Sequence, residues 1–222
     1  MKKHAIVVGS SPSLLKYKRG KLIDEFNHVI RFNTYQIQGY EEYVGTKQKI
    51  WAANLGLCEH LPSVLKYMKN NDEIWHIPSN DKVETNLTYA KKKLNKQFAS
   101  SSMGTSMRKF IESIQDNFIE QQLCFERGKV RTGPDKKYAT TGLRGILKAI
   151  ERYGMVYAHG FSFYSECVGN LKNAHYYNIS NVPEHMHKAF EETPDREHNV
   201  NHEMSVFKKL ISMDLVRLLE RI

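Results

Sequence analysis

Short β-rich apolar runs that alternate with helical patterns predict an α/β chain. Turns of glycine, serine and threonine stand where one kind of element gives way to the next. Strand–helix alternation requires crossovers, and crossovers give parallel strands covered on both faces. The expected architecture is therefore a Rossmann-like, mostly parallel sheet with helices on either side.

The first strand, Ala5–Val8, breaks at Gly9 into a Ser10-Ser11-Pro12-Ser13 turn before an apolar segment resumes at Leu14. Further strands are expected at His28–Phe32, Lys49–Ala53, Glu73–Ile77, Gln122–Phe125 and Met155–His159, each a short run bounded by turn residues. Between them, Leu61–Met68, Leu87–Phe98 and Ser106–Phe118 read as helices. The clearest helix opens at Thr141-Gly142, where Leu143, Ile146, Leu147 and Ile150 form one apolar stripe. A last helix is expected after Glu203, with Phe207, Leu210, Ile211, Leu215, Leu218, Leu219 and Ile222 on one face.

At 222 residues the chain suits one domain, 1–222, with a substantial core. The polar stretch 80–103, with Lys91-Lys92-Lys93 and Ser100-Ser101-Ser102, reads as an exposed insertion or lid. The stretch 181–201 is polar too, and reads as a loop. The apolar run after Lys2-Lys3 is too short for a signal peptide, and no run is long enough to span a bilayer. Three cysteines, Cys58, Cys124 and Cys167, stand far apart in no metal spacing, so the default compartment is cytoplasmic. The net charge of +9 favours anionic partners: nucleotides, nucleic acid, acidic glycans or a membrane surface. A basic solvated face is the plain alternative.

Strand, glycine turn and helix together hold a phosphate in many α/β proteins. Here the later glycines of a dinucleotide fingerprint are missing, as is the Gly-Lys-Ser/Thr of a P-loop. Asn33 follows a strand and so falls on a carboxyl edge, where it suits a ribose or base edge, or else a plain turn. Thr140, Thr141 and Gly142 begin a helix whose free N–H groups favour an anion, or else Thr140 simply caps it. The next strand ends at Gly160-Phe161 on the same edge. Two histidine-bearing stretches follow, His175-Tyr176-Tyr177-Asn178 and His198 to Glu203. Histidine serves as base, proton donor or electrostatic partner near neutral pH, although most histidines are structural or solvated. His185 and His187 lack a supporting carboxylate spacing and read as surface residues.

In this order, the four stretches resemble the sialyltransferases of glycosyltransferase family 29. Ala5 to Lys47 is similar to the long motif of that family, through its Val-Val-Gly turn, Val-Ile-Arg-Phe-Asn and Val-Gly-Thr-Lys. Thr140-Thr141-Gly142 and Gly160-Phe161 resemble the short motif, His175-Tyr176-Tyr177 the third, and His198 to Glu203 the very short motif. Ala5 and Tyr153 stand where the animal enzymes carry a disulfide, Ser10 replaces the usual Asn, and Ala139 the usual Pro. The Ser11-Pro12-Ser13-Leu14 turn is also similar to bacterial lipooligosaccharide sialyltransferases of another family.

The resemblance implies a GT-A-like variant fold in a short form without anchor, and an inverting transfer of a sugar from a CMP donor to a glycan or glycolipid hydroxyl. It implies donor binding by Gly9, Ser10, Ser11, Asn33, Thr140, Thr141, Gly142, Gly160, Phe161 and Tyr176. His175 would stabilise the departing phosphate and His198 would act as base, with Glu203 supporting the loop and 181–201 facing the acceptor. CMP leaves as a monophosphate, and the sequence has no Asp-x-Asp, so no metal or other cofactor is expected. Location would be cytoplasmic or peripheral at the inner membrane face. The same mechanism with CMP-Kdo is the first alternative. A non-catalytic, basic nucleic-acid-binding protein is the second, against which no aromatics interleave Lys91–Lys96 as a stacking surface needs.

Overall fold

The computed structural model describes residues 4–54, 70–77, 98–100, 103–126, 129–133, 137–163, 175–177 and 199–219. The chain opens with β1 (Ala5–Val8), a 3₁₀ turn (Pro12–Lys16), α1 (Gly20–Asp24) and β2 (His28–Phe32). It continues through α2 (Glu41–Val44), β3 (Ile50–Ala53), β4 (Glu73–His76) and β5 (Phe98–Ser100). Two helices, α3 (Met103–Ile114) and α4 (Asn117–Gln122), lead to β6 (Leu123–Glu126), β7 (Lys129–Thr132) and β8 (Lys137–Tyr138). Then come α5 (Thr141–Tyr153), β9 (Val156–His159), α6 (Val200–Ser212) and β10 (Val216–Leu218).

Seven strands form one sheet in the order β10-β9-β1-β2-β3-β4-β5, and every pairing in it is parallel. All four residues of β1 are buried, as expected of a central strand covered on both sides. Alternation then divides them. Ala5 and Val7 join the face packed with Leu143, Ile146, Leu147 and Ile150 of α5 and with Val206, Phe207 and Leu210 of α6. Ile6 and Val8 join the other face, with Leu14, Ile23, Phe26, Val44, Tyr176 and Tyr177. The Rossmann-like sheet with both faces covered is thus the observed fold.

Several boundaries differ from expectation. The run at 122–125 is a strand, but it pairs antiparallel with β7 in a separate three-stranded sheet, β6-β7-β8. Its links to the next strands are too short for a crossover, so only a hairpin is accessible. The helix expected across Ser106–Phe118 is two: Gln115 turns out at φ +52°, and Asp116 caps α4 by accepting from Ile119 N–H. The last helix stops at Ser212, because Asp214 takes φ +58° and Val216–Leu218 pairs with β9. Leu215, in the turn before β10, and Leu218, in β10, pack against the core from there rather than from a helix stripe. Phe98, expected to end a helix, begins the edge strand β5 beside β4, so residues 98–100 of the expected insertion belong to the sheet. Val200 and Asn201, expected in a loop, already lie in α6. The expected helix at 61–68, the remainder of the one beginning at Leu87, His185 and His187 lie outside the described residues. Among the described residues, no helix is long and apolar enough to cross a membrane.

Candidate active site

Because the large sheet is wholly parallel, the carboxyl ends of its strands share one edge. Gly9 follows β1 there, Asn33 follows β2, Asn54 follows β3 and Gly160 follows β9. Helix α5 leads directly into β9 and lies back along the sheet, which puts its N-terminus on that edge as well. Gly142 lies close to Phe161, where an added Cβ would sit 3.4 Å from the ring.

The turn after β1 is built by contact with β9. Gly9 N–H donates to His159 O at 2.8 Å, and Ser11 N–H donates to Gly160 O at 3.1 Å. A side chain on Gly9 would overlap the Gly160 carbonyl, and Gly160 itself holds φ +74°. The two glycines therefore let the strand ends approach each other. Ser11 is buried, and its Oγ accepts from Ser13 N–H to start the 3₁₀ turn. Ser10 Oγ faces the other way, 2.8 Å from His175 Nδ1.

His175-Tyr176-Tyr177 is strapped across this edge. Tyr176 N–H donates to Ser10 O at 2.9 Å. The Tyr176 hydroxyl donates to Gln36 O and accepts from Gln36 N–H. Tyr177 OH donates to Thr34 O at 2.8 Å and stacks its ring on His175. The strap joins the turn after β1 to the turn after β2. Burial lowers the His175 pKa to about 4, so the ring is neutral at pH 7.

Asn33 adopts φ +44° at the end of β2, and its Oδ1 accepts from Asn54 N–H at 3.3 Å. Its carbonyl accepts from Trp51 Nε1. Asn33 thus ties the ends of β2 and β3 together at the shared edge. The Val44–Lys47 loop behind it is held by Arg31, which stands in the Val-Ile-Arg-Phe-Asn stretch with no role assigned to it from the sequence, and by Asp24. Arg31 is fully buried and donates from Nη2 to Val44 O at 2.7 Å and from Nε to Lys47 O at 3.0 Å. The Asp24 carboxylate accepts from Thr46 N–H, Thr46 Oγ1 and Lys47 N–H.

At the start of α5, Thr140 Oγ1 accepts from Leu143 N–H, an ordinary N-cap. In a capping box the third helical residue would be Glu or Gln and would reach back to the cap N–H. Leu143 occupies that position. Glu203 of α6 supplies the missing acid: Thr140 N–H donates to its Oε1 at 2.9 Å, and Thr140 Oγ1 donates to its Oε2 at 2.5 Å. The capping box is completed by another helix. Thr141 and Gly142 are left with first-turn N–H groups that have no carbonyl within the helix. Phe161 backs this helix start, edge-on to Phe32 and tilted against Phe163 and Phe207.

Glu203 is completely buried, and desolvation raises its carboxyl to about 7 against the pull of Thr140 and Arg144. Arg144, also buried, donates from Nε to Thr140 O at 3.3 Å, and desolvation lowers its pKa to about 10. The sequence analysis missed Arg144, although a guanidinium beside the Leu143–Ile150 stripe was a visible signal. His202, one residue before Glu203, bonds through Nδ1 to Gln122 Oε1 at the end of α4. His198, the expected base, lies outside the described residues, just before the Asn199 cap of α6. The structure thus gathers Gly9, Ser10, Ser11, Asn33, Thr140, Thr141, Gly142, Gly160, Phe161, His175 and Tyr176 along one edge. Glu203 ties that edge to α6. Among the described residues, no group of three or more His, Cys, Asp or Glu could hold a metal ion.

These features define a parallel α/β domain with its polar, histidine-bearing groups at the carboxyl edge, the position at which such sheets receive nucleotides. The chain belongs to glycosyltransferase family 29 (sialyltransferase), whose family model matches residues 2–215. It is 40% identical over 68 residues to Sialyltransferase-like protein 2 of Arabidopsis thaliana, a match covering 31% of this chain and 16% of that protein. The chain thus matches about a sixth of the length of that curated relative. In fold it is similar to the sialyltransferase CstII from Campylobacter jejuni in complex with CMP-3FNeuAc, at TM-score 0.61 and 16% identity, covering 97% of this chain and 80% of the other. It is also similar to a mammalian sialyltransferase in complex with Gal-beta-1-3GalNAc-ortho-nitrophenol, at TM-score 0.53 and 16% identity, covering 98% and 69%.

Proposed function

We propose that this protein transfers a sialic-acid-like sugar from CMP to a hydroxyl of a glycan or glycolipid, inverting the anomeric carbon. The observation that carries this reading is the pairing of His175 with Ser10 on the edge that also bears the α5 N-terminus. CMP placed there would have its phosphate between the Thr141 and Gly142 N–H groups and the His175 ring.

In the reaction, the acceptor oxygen bonds to the anomeric carbon while the bond from that carbon to the CMP phosphate oxygen breaks. The bonding pair passes to the phosphate, and the acceptor proton passes to His198. A neutral imidazole whose Nδ1 accepts from Ser10 Oγ carries its proton on Nε2, and from there it donates to the oxygen on which charge develops. The gathering anionic charge raises the affinity of His175 for a proton, so the ring is poised to hold one as CMP departs. Family membership supports the donor class, and CMP-Kdo is the nearest competing donor. The net charge of +9 favours anionic ligands, among them a CMP-sugar donor, and the glycan or glycolipid acceptor would be reached in the cytoplasm or at a membrane surface.

The test is to incubate the purified chain with CMP-sialic acid and CMP-Kdo, with and without glycan acceptors, and to measure free CMP. Acceptor-dependent release from CMP-sialic acid is expected. No release from any CMP-sugar, together with no CMP binding, overturns the reading.

A further inference from the structure

We propose that Tyr177 is a positioning residue for His175: it covers one face of the imidazole and ties it to the turn after β2, so that the ring keeps one orientation toward the departing phosphate. This rests on the reading of His175 as the group that meets that phosphate. It goes beyond that reading by giving a role to a side chain that the resemblance to the third motif covers without assigning one.

The geometry of the strap carries the argument. A histidine ring turns about two side-chain bonds, and one hydrogen bond at Nδ1 still lets the ring pivot about that bond. Ser10 Oγ, 2.8 Å away, supplies the bond from the turn after β1. Tyr177 supplies a second contact of a different kind: its ring lies on His175 with centroids 5.3 Å apart and planes 12° from parallel. A bond in the ring plane and a flat contact across the ring face together settle both rotations. The tyrosine is itself anchored. It is buried, and one residue holds its hydroxyl at two points: the hydroxyl donates to Thr34 O at 2.8 Å and accepts from Thr34 Oγ1 at 2.9 Å. Tyr176 packs edge-on against it, centroids 5.0 Å apart, with its own hydroxyl on the Gln36 backbone. Tyr176 therefore fixes the strap, and Tyr177 fixes the ring.

Thr34 directly follows Asn33, the left-handed residue that joins the ends of β2 and β3. A chain of contacts thus runs from that turn through Thr34 and Tyr177 to His175, and on to Ser10 in the turn after β1. His175 is braced between two turns of the edge on which CMP is placed. A misplacement of roughly 1 Å at a reacting group costs about 10²-fold in rate. The brace is worth a share of that factor.

The experiment measures kcat for CMP release from CMP-sialic acid with a glycan acceptor, in the parent, Tyr177→Phe, Tyr177→Leu, His175→Ala and the His175→Ala, Tyr177→Phe double variant. Tyr177→Phe keeps the stack and loses both bonds to Thr34, whereas Tyr177→Leu loses the stack as well. Turnover should fall about tenfold in the first and about 10²-fold in the second. In the His175→Ala background, Tyr177→Phe should change turnover by less than about twofold, because residues that act through one another do not add. Spectra of protein labelled with ¹⁵N-histidine should show the parent His175 in its Nε2–H tautomer, with ring protons shifted upfield by the tyrosine face, and Tyr177→Leu should abolish that shift.

Folded Tyr177→Phe and Tyr177→Leu proteins with parental turnover overturn the proposal. So does a loss in Tyr177→Phe that repeats in full in the His175→Ala background, which marks a merely structural tyrosine. If Tyr177→Leu does not fold, the double-variant comparison with Tyr177→Phe decides alone. A parent that releases no CMP from any CMP-sugar overturns the underlying reading of function. The spectra distinguish that failure: an upfield shift lost in Tyr177→Leu upholds the brace, and an unchanged one overturns it.

Discussion

His175 is neutral at pH 7 and bonded to Ser10, and on the proposed reading it lies against the donor phosphate, so its loss should be felt before any chemistry occurs. His175→Ala is expected to lower both CMP affinity and turnover. His198→Ala should leave CMP affinity near the parent value and cost about 10²–10⁴-fold in turnover, the usual worth of a positioned base. Calorimetry and initial rates, on variants first shown to be folded by circular dichroism, separate the two. A parental rate in His198→Ala eliminates the assigned base, and His202 is then examined. Gly9 gives a purely structural counterpart. A methyl there meets the Gly160 carbonyl, which is backbone and cannot swing away, so Gly9→Ala should destabilise by about 1–3 kcal/mol in urea titrations.

At the scale of elements, α5 depends on a cap built in two places. Thr140→Val removes the acceptor for Leu143 N–H and the hydroxyl donor to Glu203, leaving two buried groups short of a partner. The expected cost is about 1–3 kcal/mol by denaturant unfolding, largely restored in Thr140→Ser. The same cap shapes the pH response. Glu203 binds its proton more tightly folded than unfolded, so its contribution is full below about 4.5 and is lost as pH rises through about 7. His175 and His76 have the opposite sign: their contribution is present above about 6.5 and is lost as pH falls toward about 4. The slopes oppose each other between about 4.5 and 6.5, so Glu203→Gln should steepen the acid loss of melting temperature in that window.

The stripe of Leu143, Ile146, Leu147 and Ile150 was legible because its period belongs to one helix. The cap was legible only by half. Thr140 shows locally, whereas its acid stands 63 positions later on another helix and no local spacing points to it. Leu215 and Leu218 misled for a related reason. Apolar residues at those positions fit a helix stripe and a sheet edge equally well, and the left-handed Asp214 that decides between them has no signature in the sequence pattern.

For the whole molecule, the parallel sheet could be read because strands buried on both faces are continuous apolar runs. Once the sheet is parallel, the shared carboxyl edge follows from geometry, which is why Gly9, Asn33 and Gly160 were placed correctly relative to one another. The small β6-β7-β8 sheet was hidden, since its short strands look like any others until their connections are known. A ligand spanning the edge would touch the turn after β1, the turn after β2 and the α5 N-terminus together, elements that meet only in the folded chain. CMP should therefore stabilise the fold as a whole, by roughly 2.7 kcal/mol at about 100 times its dissociation constant. This is read as a rise in melting temperature. UMP and AMP should do much less, because they share the phosphate contacts but not the cytosine edge, and equal shifts with all three nucleotides would count against a cytidine site. The shift should also persist in excess EDTA, since a monophosphate bound by helix N–H groups and a histidine needs no bridging cation, and a shift that vanished on chelation and returned with magnesium would place a metal in the site.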